Sequence, residues 1–358
     1  MNKLEDILAN RLCNGCGACA AMAPGAIKMI ETKSEARRPS ITKPIGQAKE
    51  QQALANCPGA NASLPKTNDD ITSAAWGPII EVWEGYATDP EICHKGSSGG
   101  AVTALALYCI EKEEFAGALH VKADTKNPIL NKASLSTNRT ELMVGAGSRY
   151  APASVCDALP EVSSAENSCV VIGKPCDIAG TNSVAASVPE LARNLGLTIS
   201  IFCAGSPSQE GTQALLENLK PADAQTLLSL KYRGEGWPGD MEAVWETKSG
   251  ARTSATTSYG AGWGNILQKH RQWRCHTCAD HTGEFADISV GDPWQNPPET
   301  MEHGKSLIVV RTERGRNIMQ AAMETGYIKA ERRENSVLFA AQPNLFATKG
   351  AVWGRSVA

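Results

Sequence analysis

Residues 307–324 read LIVVRTERGRNIMQAAME. Leu307–Val310 is an apolar run of buried-strand length, and from Arg314 to Glu324 the apolar positions recur at helical spacing, so a strand leads directly into a helix. The same alternation returns on working outward from it. Gly117 to Val121, Ser168 to Ile172, Leu197 to Phe202 and Ala286 to Val290 are further apolar runs of strand length, while Gly100 to Glu111 and Gln209 to Leu219 have helical spacing. Such alternation predicts a mixed body of the α/β or α+β class.

At 358 residues and 42% hydrophobic content, the chain can fill two or three ordinary cores without disulfides. A formal net charge of -3 leaves no basic excess for a phosphate backbone, which argues against nucleic acid as a partner. The opening MNKLEDILANRLC carries Glu5 and Asp6 where a signal peptide needs a basic start and an apolar core. The longest apolar stretch, Gly99 to Ile110, falls well short of the roughly 20 residues of a membrane span. The expectation is a cytoplasmic chain without a membrane span. In a reducing compartment twelve cysteines point to metal ligands before disulfides.

Cys13, Cys16 and Cys19 form C-x2-C-x2-C, and Cys57 is followed by Pro58. Short spacings with small residues between them wrap a chain around one corner of an iron–sulfur cubane, and the fourth thiolate arrives from a distant Cys-Pro. In the two-cluster bacterial run the fourth cysteine serves the other cluster. Here that position is Ala23, followed by Pro24, and Cys57 in turn lacks the cysteines that should precede it. The two losses match, so a small ferredoxin-like unit with one [4Fe–4S] cluster is expected. The rival is zinc, which usually takes two separated pairs; no histidine lies near this run. The polar segment NASLPKTNDDITSAAWGP (Asn61–Pro78) then reads as a linker.

A second pair, Cys275 and Cys278, is weak alone, since half a zinc ribbon looks identical. Cys176 and Cys203 each lie just beyond an expected buried strand, where loops of an open α/β sheet converge on ligands. Around them stand KGSSGGAVTALALY (Lys95–Tyr108), GSRYAP (Gly147–Pro152), GKPCDIAG (Gly173–Gly180), FCAGSPS (Phe202–Ser208), KYRGEGWPG (Lys231–Gly239) and CHTCADHTGEFADISVGDPW (Cys275–Trp294). In this order and spacing the chain resembles the coenzyme F420 hydrogenase/dehydrogenase beta-subunit family, whose relatives include 7-hydroxymethyl chlorophyll a reductase. The resemblance implies a noncovalent FAD beside a [4Fe–4S] cluster held by Cys176, Cys203, Cys275 and Cys278, with zinc as the rival metal. Asp292 is a possible substitute ligand. Cys93, Cys109, Cys156 and Cys169 match no ligand spacing and read as core thiols, Cys93 being notable for its place before the Ser/Gly loop.

For the flavin, Ser97 and Ser98 could cap the helix that follows, and Gly99 and Gly100 would let backbone N–H groups approach a pyrophosphate. Arg149 offers a guanidinium for phosphate and Tyr150 a stacking face. The resemblance adds Gly173, Lys174, Lys231 and Arg233. No G-x-G-x-x-G supports a Rossmann nicotinamide site. No catalytic side chain can be assigned.

The expected organisation is a ferredoxin-like unit over 1–62, a linker over 63–78, and a flavin-binding body divided into 79–160 and 161–358. The expected function is oxidoreduction, moving electrons between a ferredoxin or another redox protein, two [4Fe–4S] clusters, FAD and a small organic substrate. Two alternatives stand beside it: a coenzyme F420-oxidising input subunit of a larger complex, and an electron-transfer module without a substrate of its own.

Overall fold

The structure, a computed structural model, describes residues 3–61, 63–66, 70–297, 304–352 and 354. Near the N-terminus β1 (Ile27–Ile30) and β2 (Arg38–Ile41) form an antiparallel pair. Next come β3 (Glu81–Ala87), β4 (Gly117–Ala123), β5 (Asn131–Ser136), β6 (Cys169–Gly173) and β7 (Leu195–Ile201). A separate antiparallel sheet holds β8 (Ala224–Lys231), β9 (Met241–Thr247) and β10 (Arg252–Thr257), and β11 (Ile288–Gly291), β12 (Ser306–Val310) and β13 (Ile328–Arg333) close the series. The large mixed sheet has the order β13-β3-β12-β11-β7-β6-β4-β5, with β4, β6, β7 and β11 parallel and antiparallel strands on both sides.

Side chains alternate across this sheet as the pleat requires. Leu119 and Val171 face a cluster with Ile178 and Val184 of the helix Pro175–Ser187, and Leu4, Ile7, Met22 and Ile27 of the N-terminal segment join the same cluster. Ala118, Val170 and Ile172 face the opposite layer, where Leu105 of the helix Ala101–Lys112 and Met319 of the helix Glu313–Glu324 cover them. The N-terminal segment therefore shares its apolar core with the body.

The opening strand–helix reading holds, as Ser306–Val310 and Glu313–Glu324. The run Ala286–Val290 is extended only from Ile288, because Ala286 closes a turn on the Gly283 carbonyl and the Asp287 carboxylate takes the N–H and hydroxyl of Thr198. Among the described residues no helix is long and apolar enough to cross a membrane.

The stretch 63–78, expected as linker, includes an ordered element. Asp70 accepts the N–H groups of Thr72 and Ser73 and caps a helix, Ile71–Trp76, whose last residue is buried against Phe339 and Phe346. Six residues carry no readable helical period, and the partners lie at the other end of the sequence. Ala62 and Thr67–Asp69, part of the segments read as unit and linker, lie outside the described residues. Replacing Trp76 by Ala should cost about 3–5 kcal/mol, read as a lower urea midpoint with an unchanged denaturant slope.

Candidate functional site

Cys13 and Cys16 sit in a loop that turns through Gly15 and Gly17, both at positive φ, into the helix Ala18–Met22, whose second residue is Cys19. Cys57 joins them from just beyond the helix Gln47–Ala55. The Gly15 N–H donates to Cys13 Sγ at 3.4 Å, and N–H groups of Ala18, Ala20, Gly59 and Ala60 face the other sulfurs. Burial, with smaller contributions from neighbouring thiols, pushes Cys13 up to about 12 and Cys57 to about 11. A hydrogen bond with Cys156 and burial raise Cys16, and burial raises Cys19. Four thiols this reluctant to ionise need a strongly cationic centre to become thiolates, while the N–H groups stand ready to hold them.

The second set closes around a cavity of about 30 Å³. Cys176 comes from the first turn of Pro175–Ser187, Cys203 from just past β7, and Cys275 and Cys278 from the short helix Trp273–His276 and its exit. Burial raises all four, Cys203 and Cys278 to about 12. The Ser206 N–H donates to Cys275 Sγ at 3.4 Å. His281 lines this cavity too, with Nδ1 donating to the Cys203 carbonyl at 2.8 Å. Among the described residues no three His, Cys, Asp or Glu side chains gather in single-ion geometry.

A larger cavity, about 270 Å³, opens at the carboxyl ends of β6, β7 and β11, where ligands bind in open α/β sheets. Ser97, Ser98, Gly100, Arg149, Tyr150, Gly173, Lys174 and Arg233 line it; Gly99 and Lys231 lie outside the lining. Gly99 packs on the Gly304 backbone, and Lys231 pairs with Glu235 and Glu242. Neither serine caps the helix. Its N-cap is Gly100, Ser97 bonds to Ser148, and Ser98 donates to Asp292 at 2.6 Å. The Arg149 guanidinium, read as a phosphate ligand, is taken up by Asn131 and by the Pro128 and Leu230 carbonyls.

Asp292 stands in this cavity and not among the second thiols. It accepts both terminal nitrogens of Arg233, at 2.9 and 2.7 Å, and the Trp237 indole N–H at 2.8 Å. Burial alone would raise its pKa, yet Arg233 and these hydrogen bonds outweigh that and hold the carboxyl below its ordinary value. Lys174 and Cys203 line both cavities. Burial opposes the Lys174 charge, but Asp177, paired at 2.6 Å, and the neighbouring Cys176 and Cys203 keep its pKa above the ordinary lysine value.

Sequence reasoning missed the aromatic wall. Tyr259 stacks on Trp294 at 5.6 Å and 22°, Trp263 lies 4.9 Å from Tyr150, and Arg233 sits over Tyr259 at 5.0 Å. Trp294 closes a quoted motif; Tyr259 caps, and Trp263 lies within, a π-helical turn, Gly260–Ile266, that no period announces. His120, also unassigned, lines the cavity with Nε2 2.8 Å from Ser136 Oγ.

Two family models match, both describing the beta subunit of coenzyme F420 hydrogenase/dehydrogenase: its N-terminal part over residues 82–160 and its C-terminal part over residues 166–336. The chain belongs to the coenzyme F420 hydrogenase/dehydrogenase beta-subunit family. The coenzyme F420 hydrogenase subunit beta of Methanococcus voltae is 26% identical over 68% of this chain and 81% of its own. The F420-dependent formate dehydrogenase subunit beta of Methanocaldococcus jannaschii is 26% identical over 69% of this chain and 60% of its own. A chain in a solved structure of the F420-reducing [NiFe] hydrogenase complex from Methanosarcina barkeri matches with a TM-score of 0.59 and 21% identity, covering 79% of this chain and 94% of that one. This last likeness is one of fold.

His120 gives a pH test. Burial, assisted by the Lys122 charge, lowers its pKa from 6.5 to about 4. Between those values the unfolded chain binds a proton that the folded chain does not, so stability falls as pH drops through the window, by roughly 3 kcal/mol. His120→Gln should flatten that part of the profile in urea titrations at pH 7, 5.5 and 4.5.

Proposed function

We propose that the chain is an electron-transferring oxidoreductase subunit that holds two [4Fe–4S] clusters, on Cys13, Cys16, Cys19 and Cys57 and on Cys176, Cys203, Cys275 and Cys278, with FAD in the large cavity. The observation that carries this reading is the shared wall: Lys174 and Cys203 face both the second thiol set and the large cavity. A flavin there would lie against the second cluster. Clusters supply one-electron steps and flavin one- or two-electron steps, chemistry that side chains lack.

The chain's own residues hold and orient. Backbone N–H groups support the thiolates, and Lys174 supplies a fixed positive charge at the shared wall. Arg233 and Asp292 tie the Ser/Gly loop to the loop bearing Trp237 and to the end of β11. Tyr259, Trp263 and Trp294 give planar faces for an aromatic ring system.

Two observations favour different partners. The N-terminal thiol set favours a ferredoxin-type partner, whereas the relatives named for F420 favour that coenzyme as hydride partner and a place in a larger assembly.

Anaerobically purified protein should contain about eight irons and eight sulfides per chain, with visible absorption that bleaches on reduction. About four irons plus zinc would remove the second cluster from this reading.

Cys16→Ser should abolish flavin reduction by reduced ferredoxin in stopped-flow absorbance while dithionite still reduces it. Cys278→Ser should disturb both the second cluster and the flavin. Unchanged ferredoxin-driven reduction in Cys16→Ser would place electron entry elsewhere.

A further inference from the structure

Between the two thiol sets lie two polar side chains that neither set uses. Asn14, from the first cysteine motif, lines the cavity of the second set, and its buried Oδ1 has no hydrogen-bond partner. Arg274, from the second motif, lines the same cavity. Its Nη1 donates to the Thr277 carbonyl and hydroxyl at 2.8 and 3.0 Å, while its buried Nε has no partner. Among the described residues no carboxylate pairs with it within salt-bridge distance.

Arg274 stands where the two motifs meet. It adjoins Cys275 in sequence and shares the cavity of about 30 Å³ with Asn14, which adjoins Cys13 of the other set. A guanidinium keeps its charge at every working pH. A half-buried cation without a carboxylate partner needs some other counter-charge. A cubane site supplies one, because four thiolates outweigh the charge of the iron–sulfur core and each added electron makes the site more negative.

We infer that Arg274, with Asn14 beside it, is the electrostatic bridge between the two cluster sites, a positioning pair that raises the reduction potential of both clusters at once. This rests on the two-cluster reading of the proposed function. Arg274 favours the reduced form of whichever cluster holds the electron, so one fixed charge raises both potentials. Asn14 provides a dipole and a hydrogen-bonding amide where the two sites meet.

The test is an anaerobic redox titration followed by electron paramagnetic resonance on the full chain, with iron and sulfide assayed first. Cys16→Ser assigns the N-terminal signal. Arg274→Gln should keep the iron of the parent and shift both midpoints to more negative values, and Arg274→Lys should return both toward the parent. Asn14→Asp, which sets a negative charge at the same junction, should also lower both midpoints, and it decides the matter if Arg274→Gln does not load. A shift confined to the second cluster, no shift, or a lysine variant behaving like the glutamine variant overturns the inference. A parent protein without two cluster signals overturns the two-cluster reading itself, and is recognised before any variant is made.

Discussion

The close approach of the first cysteine loop to the helix Pro175–Ser187 fixes the relation of everything else in the site. The Cys156 N–H donates to the Cys16 carbonyl at 2.9 Å, and the Ser154 hydroxyl to the Gly15 carbonyl at 2.6 Å. Gly180 makes the contact possible: a Cβ there would stand 3.0 Å from Cys156 Sγ and 3.4 Å from Cys16 Sγ. Gly17 does the same from the other side, where a Cβ would meet the Asp157 nitrogen at 2.7 Å. Since the helix that Gly180 admits carries Cys176 in its first turn, one glycine contact brings the two thiol sets within reach of each other's charge.

Around the large cavity the ordering comes from buried ions. Arg233 and Asp292 are taken out of water together, and such pairs contribute little net stability once desolvation is counted. Their effect here is geometric. Asp292 receives Ser98 from the Ser/Gly loop, Arg233 and Trp237 from the loop after β8, and itself follows β11, so these chain segments converge on one carboxylate. Removing either partner would leave a buried charge unpaired, a penalty of about 3–5 kcal/mol, and would release both loops.

Legibility in the sequence followed the range of the interactions. The first cysteine set is local apart from Cys57, so spacing and a Cys-Pro revealed it, and buried strands announced themselves as apolar runs. The second set joins residues from distant places: spacing pointed to Cys275 and Cys278 and strand ends to Cys176 and Cys203, but only resemblance to a family joined the four. Side-chain direction was not legible at all. Arg149 looked like a phosphate ligand because a guanidinium suits one, but the chain uses its nitrogens on three carbonyls and an amide. Asp292 lay near Cys278 in sequence, and the strand β11 carries it to the other cavity. Trp76 and the aromatic wall depend on partners distant in sequence, which no local period encodes.

The three sites form a contact series, and the same short segments serve adjoining members of it. Lys174, Cys203 and Ser206 line both cavities, while Asn14 of the first cysteine motif joins Arg274 in the wall of the second. The Leu4 to Met22 region shares a hydrophobic cluster with Val155, Leu159 and Ile178 of the body, so the N-terminal segment is anchored by packing as well as by the glycine contacts. Separating that segment would expose apolar surface on both parts and remove Asn14 from the wall of the second cavity. The wall of the second cavity is thus completed by Asn14 of the first motif, even though none of the four cysteines of that set lies there.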